Sequence, residues 1–382
     1  MTQEAAHPDK FRVVVVGGGV AAVECILALH DLAAERVAIT VLAPNDQFVN
    51  RPMTVREPFA YSAAERYTLA SIVADAGAEL VADKLGWVAP DEQLVHTKNG
   101  TELPYDALVL AIGANPYPRY KHAVTVDDRR MDEALQGLIR DVDEGYLKRV
   151  AFVAPGRMAW PLPLYELALM TAGRAYAMNV PFAATIVTPE QEPLAAFGGE
   201  VSDGVAALLE EKGIRIITSA YAEVPAPGEV VINPGDRLLR AQRVIALPEL
   251  YGPAVRGLHV GEHGFIPIDR FCRVPHAGPV YAAGDAVDFP IKHGGVGCQQ
   301  ADVVAESIAK LAGSNVEPKP FNPVIQGVLL TDERPRYIAA SIAGGQGCRS
   351  RFSDSPIDGA TTKVAGKYLT PYLARVDSGV TV

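Results

Sequence analysis

The stretch FRVVVVGGGVAAVECILAL, residues 11–29, decides the fold. Its run of valines predicts a buried parallel strand, and the apolar residues from about Val20 onward predict a helix. Between the two, Gly17, Gly19 and Ala22 have the spacing GxGxxA. Gly17 permits a tight turn, Gly19 lets a pyrophosphate approach the backbone, and Ala22 lets the helix pack closely on the strand. The sequence therefore predicts a strand–turn–helix unit that binds a dinucleotide through the amides at the helix start.

The next strand departs from the usual pattern of such units. In VAITVLAPND, residues 37–46, Ala43 stands where an acidic side chain would bind the ribose hydroxyls. Asn45 and Asp46, in the loop that follows, are both candidates to replace that acid. The sequence does not decide between them.

Composition restricts the class of protein and its partners. The chain has 382 residues, 49% of them hydrophobic, which is enough for two packed domains or for one domain interrupted by another. A net charge of -10 argues against nucleic acid or an anionic membrane surface as the main partner. The sequence has no signal-peptide pattern and no apolar run long enough to span a membrane, and its four cysteines form no CxxC pair. We expect a cytoplasmic protein without a transmembrane segment or a metal site.

Two further apolar strands follow the first one, and each ends in a glycine turn. YDALVLAIGAN, residues 105–115, ends in Ala111-x-Gly113, and PVYAAGDAVDFP, residues 279–290, ends in Gly284-Asp285. This order of turns resembles that of the FAD-dependent pyridine nucleotide-disulfide oxidoreductase superfamily, from about residue 11 to about residue 312. Within it, the chain is most similar to the branch of sulfide:quinone reductases, flavocytochrome c sulfide dehydrogenases and type II NADH dehydrogenases.

The resemblance implies an α/β fold with two doubly wound (Rossmann-like) dinucleotide-binding domains, the second inserted in the first, plus a short C-terminal region. We expect residues 1–120 and 251–315 to form the FAD-binding domain. Residues 121–250 would form an NAD(P)-binding-like domain, and residues 316–382 the C-terminal region.

The resemblance also implies which residues bind FAD. Asp285 would accept a hydrogen bond from a ribityl hydroxyl, although a helix-capping aspartate is the alternative. A helix from about Gly297 to Leu311 would direct its positive amino end at the N1–C2=O edge of the flavin. Lys292 could add a charge there, or lie exposed in the loop. The predicted FAD-binding residues are Gly17, Gly18, Gly19, Ala21, Ala22, Arg51, Leu85, Ala111, Gly113, Gly284, Asp285 and Lys292.

Residues 148–250 contain a second strand–helix–strand pattern with a poor nucleotide turn, VAPGRMAWPLPLYE (153–166). At the three glycine positions stand Ala154, Gly156 and Ala159, so one glycine of three remains. Trp160 and two prolines then delay the helix, and the ring side chains occupy space that a pyrophosphate would need. Glu190 follows the next strand, where an acid could bind the ribose of NADH. We expect this domain to keep the fold without a nicotinamide site.

The ending Pro163-x-Tyr165-Glu166 resembles sulfide:quinone reductases and flavocytochrome c dehydrogenases, but the cysteines that those enzymes need are lacking between Cys25 and Cys272. Cys298 is the candidate catalytic residue. A position at a helix amino end would lower its pKa, and the alternative is a small buried packing residue. Gln299 and Gln300 resemble the glutamine pair of the quinone site in type II NADH dehydrogenases, or are ordinary first-turn residues.

The C-terminal region predicts two strands with a turn in FNPVIQGVLLT (321–331) and a short amphipathic helix in TKVAGKYLTPYLARV (362–376). That helix would lie on a membrane surface, cover the flavin site or contact a second copy, so a homodimer is left open.

Taken together, these features predict an FAD-dependent oxidoreductase that passes electrons from a small donor through flavin to an acceptor without NAD(P)H. The donor or acceptor would be a small molecule or quinone-like. The alternatives are an NAD(P)H:quinone-type dehydrogenase, an enzyme like sulfide:quinone reductase, and a flavin-binding partner protein without turnover.

Overall fold

The computed structural model describes residues 10–61, 63–157, 160–341, 349–359 and 361–379. Within these ranges the α-helices are α1 Val20–Ala33, α2 Leu69–Asp75, α3 Met131–Asp143, α4 Leu162–Ala177, α5 Gly199–Glu211, α6 Gly294–Leu311 and α7 Leu369–Asp377. Short 3-10 helices cover Arg51–Phe59, Ala195–Phe197 and Gly284–Ala286. None of the helices in the described part of the chain is long and apolar enough to cross a membrane.

The strands of the described residues fall into two parallel sheets and several small antiparallel ones. In chain order they are β1 Phe11–Val16, β2 Val37–Leu42, β3 Gln47–Val49, β4 Arg66–Thr68, β5 Glu79–Val81, β6 Leu85–Ala89, β7 Leu94–Thr97, β8 Glu102–Pro104, β9 Ala107–Leu110, β10 Asn115–Tyr117, β11 Val124–Thr125, β12 Arg149–Val153, β13 Ala183–Val187, β14 Arg215–Ile217, β15 Tyr221–Ala226, β16 Glu229–Asn233, β17 Arg237–Arg240, β18 Arg243–Ala246, β19 Glu249–Tyr251, β20 Val280–Ala282, β21 Val324–Leu329, β22 Arg336–Ser341 and β23 Arg349–Ser353.

The first parallel sheet has the order β20–β9–β1–β2–β5. Its central strand is the valine run, and Val13 to Val16 are at most 2% exposed because both faces of the strand are covered. Helices α1 and α6 pack against each other beside this sheet and contribute many residues to the same hydrophobic cluster. Helix α1 begins at Val20 as predicted, whereas α6 begins at Gly294, three residues before the predicted Gly297.

The second parallel sheet has the order β11–β18–β12–β13–β14 and is built from residues 124 to 246. Helices α3, α4 and α5 bury their apolar residues in its core. Because β20 returns to the first sheet after this segment, the second unit is inserted in the first. The predicted α/β fold of two doubly wound units is therefore confirmed, while the exact domain boundaries stay a prediction.

The C-terminal region differs in part from the expectation. FNPVIQGVLLT contains one strand, β21, and its partner β22 lies beyond the polar turn that follows Thr331. The predicted pair of strands within that stretch is therefore wrong. Helix α7 lies against the chain's own α1, where the Glu24 carboxylate accepts hydrogen bonds from the amides of Tyr368 (2.8 Å) and Leu369 (2.6 Å). The carboxylate thereby satisfies amides at the start of α7.

Candidate functional site

The first glycine turn has the two properties that a phosphate-binding turn needs. Gly17 has φ +129°, and a Cβ atom there would lie 2.2 Å from the Ala111 carbonyl oxygen, so only glycine fits. A Cβ atom on Gly19 would meet no atom within 4 Å. Gly19 is also the N-cap of α1, so its exposed backbone adjoins the free amides of a helix start.

The three turns that follow β1, β9 and β20 meet at one edge of the first sheet. The register aligns Val16 with Leu110, and Leu110 with Ala282, so the turns begin side by side. Gly284 has φ +75°, and a Cβ atom on it would be 3.1 Å from the Ala21 Cβ at the start of α1. The carboxyl ends of the three strands therefore form one crevice, the usual ligand site of an open parallel sheet.

Asp285 lies in this crevice, half-buried, and its carboxylate accepts no hydrogen bond from the described residues. Burial raises its pKa, and the nearby charge of Lys292 opposes that rise. A half-buried acceptor without a donor fits a ligand that brings hydroxyl groups, as the ribityl chain of FAD does. The residues of the crevice therefore fit the cofactor that the sequence predicts.

Lys292 is buried rather than exposed in the loop, with 8% of its surface accessible. Its ammonium group donates to the Val287 carbonyl oxygen and lies 3.9 Å from the centre of the Phe265 ring. Burial lowers its pKa to about 8, although Asp285 and Asp288 favour the charged form. The position beside Asp285 brings the two predicted FAD-binding residues together.

Other predicted FAD-binding residues are placed less directly. Arg51 forms an ion pair with Asp128 (3.2 Å), and both side chains are partly exposed. Leu85 is the first residue of β6 and packs, partly buried, against the hydrophobic cluster that includes Val14 and Leu108 of the first sheet. Asn45 and Asp46 both have exposed side chains, so the replacement for the missing ribose acid is not decided. The roles of these residues in binding FAD stay predictions.

The second turn differs from the first in the position at which its helix begins and in the side chain of Trp160. Helix α4 begins only at Leu162, after residues 154–161, whereas the first turn needs residues 17–19 alone. Trp160 fills part of this segment, with its ring 5.4 Å from the Phe197 ring and 4.6 Å from the His293 ring. Ala159, the third position of the turn, lies outside the described residues. The predicted delay of the helix is confirmed.

Glu190, the acid that follows β13, is engaged inside the protein. The hydroxyl of Tyr165 donates to its carboxylate at 2.7 Å, and the hydroxyl of Thr188 donates at 3.0 Å. Burial raises the pKa of this carboxyl, and the two hydrogen bonds oppose the rise. Both hydroxyls donate to Oε2, so a ribose that bound this oxygen would have to compete with them.

Cys298 is the fifth residue of α6, in the second turn of the helix, and its thiol faces the core between α6 and α1. Burial, together with the charges of Glu24 and Asp302, raises its pKa well above the ordinary value. The expectation that the helix start lowers this pKa is wrong, because desolvation and two carboxylates outweigh the helix dipole. The position favours packing, and a catalytic role for Cys298 stays a prediction.

The two glutamines of α6 have different roles. Gln299 bonds the backbone of Val324 with both ends of its amide, which attaches β21 to α6. Gln300 is 1% exposed and accepts a hydrogen bond from the Gly284 amide (2.8 Å), while its Nε2 has no partner among the described residues. Gln300 therefore belongs to the crevice, and Gln299 joins helix α6 to the C-terminal region.

A buried ion pair in the structure was not predicted from the sequence. Glu166 and Lys363 meet at 2.6 Å with side chains 0% and 5% exposed. Lys363 also donates to the Pro52 carbonyl oxygen (2.9 Å), and Glu166 accepts from the Leu330 amide (2.9 Å). Glu166 stands in the quoted Pro-x-Tyr-Glu segment, but Lys363 lies 197 residues away in a polar stretch that gives no signal.

The sequence comparisons match part of the chain. Residues 2–141 match the family model described as pyridine nucleotide-disulphide oxidoreductase. No curated protein matches the sequence.

Several solved structures share the fold. The sulfide:quinone oxidoreductase of Aquifex aeolicus is 20% identical, with a TM-score of 0.81 over 90% of this chain and 87% of that one. A NAD-dependent persulfide reductase from A. fulgidus is 20% identical, with a TM-score of 0.62 over 86% and 64%. A ferredoxin reductase from Rhodopseudomonas palustris is 18% identical, with a TM-score of 0.67 over 88% and 84%. These likenesses show the fold of the chain.

Proposed function

We propose that the chain is an FAD-dependent oxidoreductase that oxidises a small donor without using NAD(P)H, and the match of residues 2–141 to the pyridine nucleotide-disulphide oxidoreductase family model supports the first part of this proposal. FAD, when bound, supplies an acceptor for an electron pair. The chain's own residues would bind and orient this cofactor and determine which reductant reaches it.

The residues of the first crevice would hold FAD. The open backbone at Gly19 and the start of α1 would take the pyrophosphate, and the unpaired carboxylate of Asp285 would accept from the ribityl chain. The amino end of α6 and Lys292 would supply positive charge at one end of the crevice. Such charge stabilises the extra negative charge of a reduced flavin.

One observation supports independence from NAD(P)H more than any other: Glu190 already accepts hydrogen bonds from Tyr165 and Thr188. A nicotinamide nucleotide would have to compete with these hydroxyls for the one acid near its ribose. It would also have to bind a turn in which Trp160 is packed and Pro161 has no amide to donate.

An anaerobic titration of the FAD-loaded protein tests this proposal. NADH and NADPH should leave the flavin absorbance unchanged over seconds, whereas dithionite should bleach it and so show that the flavin is reducible. Rapid bleaching by sub-millimolar NADH would contradict the proposal and favour the NAD(P)H:quinone-type dehydrogenase.

The acceptor is a second part of the proposal. The fold of the Aquifex aeolicus sulfide:quinone oxidoreductase, which this chain shares, supports a quinone-like acceptor. Sulfide as donor has less support, because no cysteine occurs between Cys25 and Cys272 and the Cys298 thiol is buried with a raised pKa. The site therefore agrees best with a small donor that does not need a cysteine pair to bind it.

A further inference from the structure

His293 is a buried polar residue at the amino end of α6 that the sequence analysis did not single out. It is the N-cap of this helix, 7% of its surface is accessible, and its side chain makes no capping hydrogen bond. Its ring lies against Trp160, with the two ring centres 4.6 Å apart. The imidazole therefore packs between the start of α6 and Trp160, the residue that precedes Pro161 and α4.

The two ring nitrogens of His293 have different surroundings. The ring hydrogen-bonds the backbone of Lys363, while Nδ1 has no partner among the described residues. We therefore assign the ring proton to Nε2, which leaves Nδ1 with a free lone pair. Burial and the charge of Lys363 lower the pKa of the ring to about 4, so it is neutral at physiological pH.

A buried acceptor without a donor is uncommon in folded proteins, because it loses its water and gains nothing in return. The nearest cation, Lys363, directs two of its three N–H groups to Glu166 and the Pro52 carbonyl oxygen, and no hydrogen bond joins it to Nδ1. Gln300, two helical turns along α6, has an unpartnered Nε2 as well. Because the same Gln300 side chain binds the Gly284 amide, its unpartnered Nε2 places an unsatisfied donor of α6 at the proposed FAD site.

We propose that His293 contacts the ligand of this site and that its Nδ1 accepts a hydrogen bond from an N–H, O–H or S–H group of that ligand. The donor group belongs either to the flavin ring, at its N3–H, or to a protonated reductant. This assignment rests on the proposed FAD site. It makes His293 a recognition residue and not a proton carrier, since a base with so low a pKa keeps no proton near neutral pH.

The experiment measures the Nδ1 resonance directly. Protein labelled with 15N-histidine is examined without FAD, with FAD, and with FAD plus dithiothreitol or 1,4-hydroquinone as anaerobic probes. The His293 signal is identified as the one that is lost in His293→Gln. We expect the 15N resonance of Nδ1 to move upfield when the nitrogen accepts a hydrogen bond. If the flavin is the donor, the resonance should move when FAD binds. If the reductant is the donor, it should move only when a probe is added.

Binding measurements provide a second readout. His293→Leu removes the acceptor, and we expect three- to tenfold weaker binding of FAD or of the probe, the usual value of one hydrogen bond. His293→Gln keeps an acceptor and should stay within about twofold of the wild type. The exposed His259→Leu is the control. If the flavin N3–H is the donor, wild type should bind 3-methyl-FAD more weakly than FAD. His293→Leu should bind the two cofactors equally well.

An Nδ1 resonance that is the same in all states, with unchanged binding by His293→Leu, would overturn the assignment while the FAD site stands. A protein that takes up no FAD would contradict the proposed function itself.

Discussion

The buried pair Glu166–Lys363 allows a quantitative prediction, because its two charges lie in contact and almost fully out of water. In Glu166→Gln the Lys363 ammonium stays buried beside neutral oxygens only, such as the Pro52 carbonyl, and loses its compensating negative charge. An uncompensated buried charge costs about 3–5 kcal/mol. We expect the free energy of unfolding of this variant to fall by that amount.

The control is an ion pair of similar length at the surface. Lys310 and Glu317 meet at 2.8 Å with side chains 50% and 84% exposed. Because water screens such pairs, Glu317→Gln should change the free energy of unfolding by about 1 kcal/mol or less. The two single substitutions therefore separate the effect of burial from that of the ion pair itself.

The double variant Glu166→Gln/Lys363→Met tests whether the loss comes from the unpaired charge. Once both charges are gone, the loss should be smaller than the sum of the two single losses. Urea unfolding of the apoprotein, followed by circular dichroism, gives the values for Glu166→Gln, Lys363→Met, the double variant and Glu317→Gln. A Glu166→Gln variant as stable as Glu317→Gln would refute the reasoning, and so would fully additive losses in the double variant.

Three other predictions concern the crevice and the packing of α6. Gly19→Val should fold as well as wild type, because a Cβ atom there meets nothing within 4 Å. It should lose FAD, because the side chain blocks the pyrophosphate. Flavin content after purification measures this loss, and full retention would show that the turn is not the phosphate site. Cys298→Ser should keep both FAD and turnover, because the buried thiol has a raised pKa; loss of turnover with FAD retained would identify a redox thiol. Asp302→Asn should reduce the pH dependence of stability, because burial and Glu24 raise the pKa of the Asp302 carboxyl from 3.8 to about 8. The protonated carboxyl therefore stabilises the fold at low pH, and this contribution is lost as the pH rises from about 4 to about 8. The slope is at most about 1.4 kcal/mol per pH unit. Urea midpoints at pH 5 and pH 8 give the slope, and an unchanged slope in Asp302→Asn would contradict the assigned pKa.

The main features of the fold were predictable from local sequence. The valine run, the spacing of Gly17, Gly19 and Ala22, and the later glycine turns predict strands whose ends meet at one edge, because parallel strands place their carboxyl ends together. The late start of α4 in the second turn was equally predictable, since Trp160 and the neighbouring prolines are adjacent in sequence. These signals are short in range and depend on residue type.

The contacts that distinguish this site join distant residues. His293 meets Trp160, and Glu166 meets Lys363, 197 residues further along the chain. No periodicity or spacing connects such positions, since only the packing of the two units and of the C-terminal region brings them together. The pKa of Cys298 was mispredicted for the same reason: the helix start is visible in the sequence, but the carboxylates of Glu24 and Asp302 beside it are not.

Reconstitution with FAD tests the central claim most directly. The purified chain, incubated with excess FAD and freed of unbound cofactor, should be yellow and hold one FAD per chain of 40.7 kDa. Absorbance of the released flavin, divided by protein concentration, gives the ratio. A chain with the circular dichroism and cooperative unfolding of a folded α/β protein that nevertheless takes up no FAD would contradict the account.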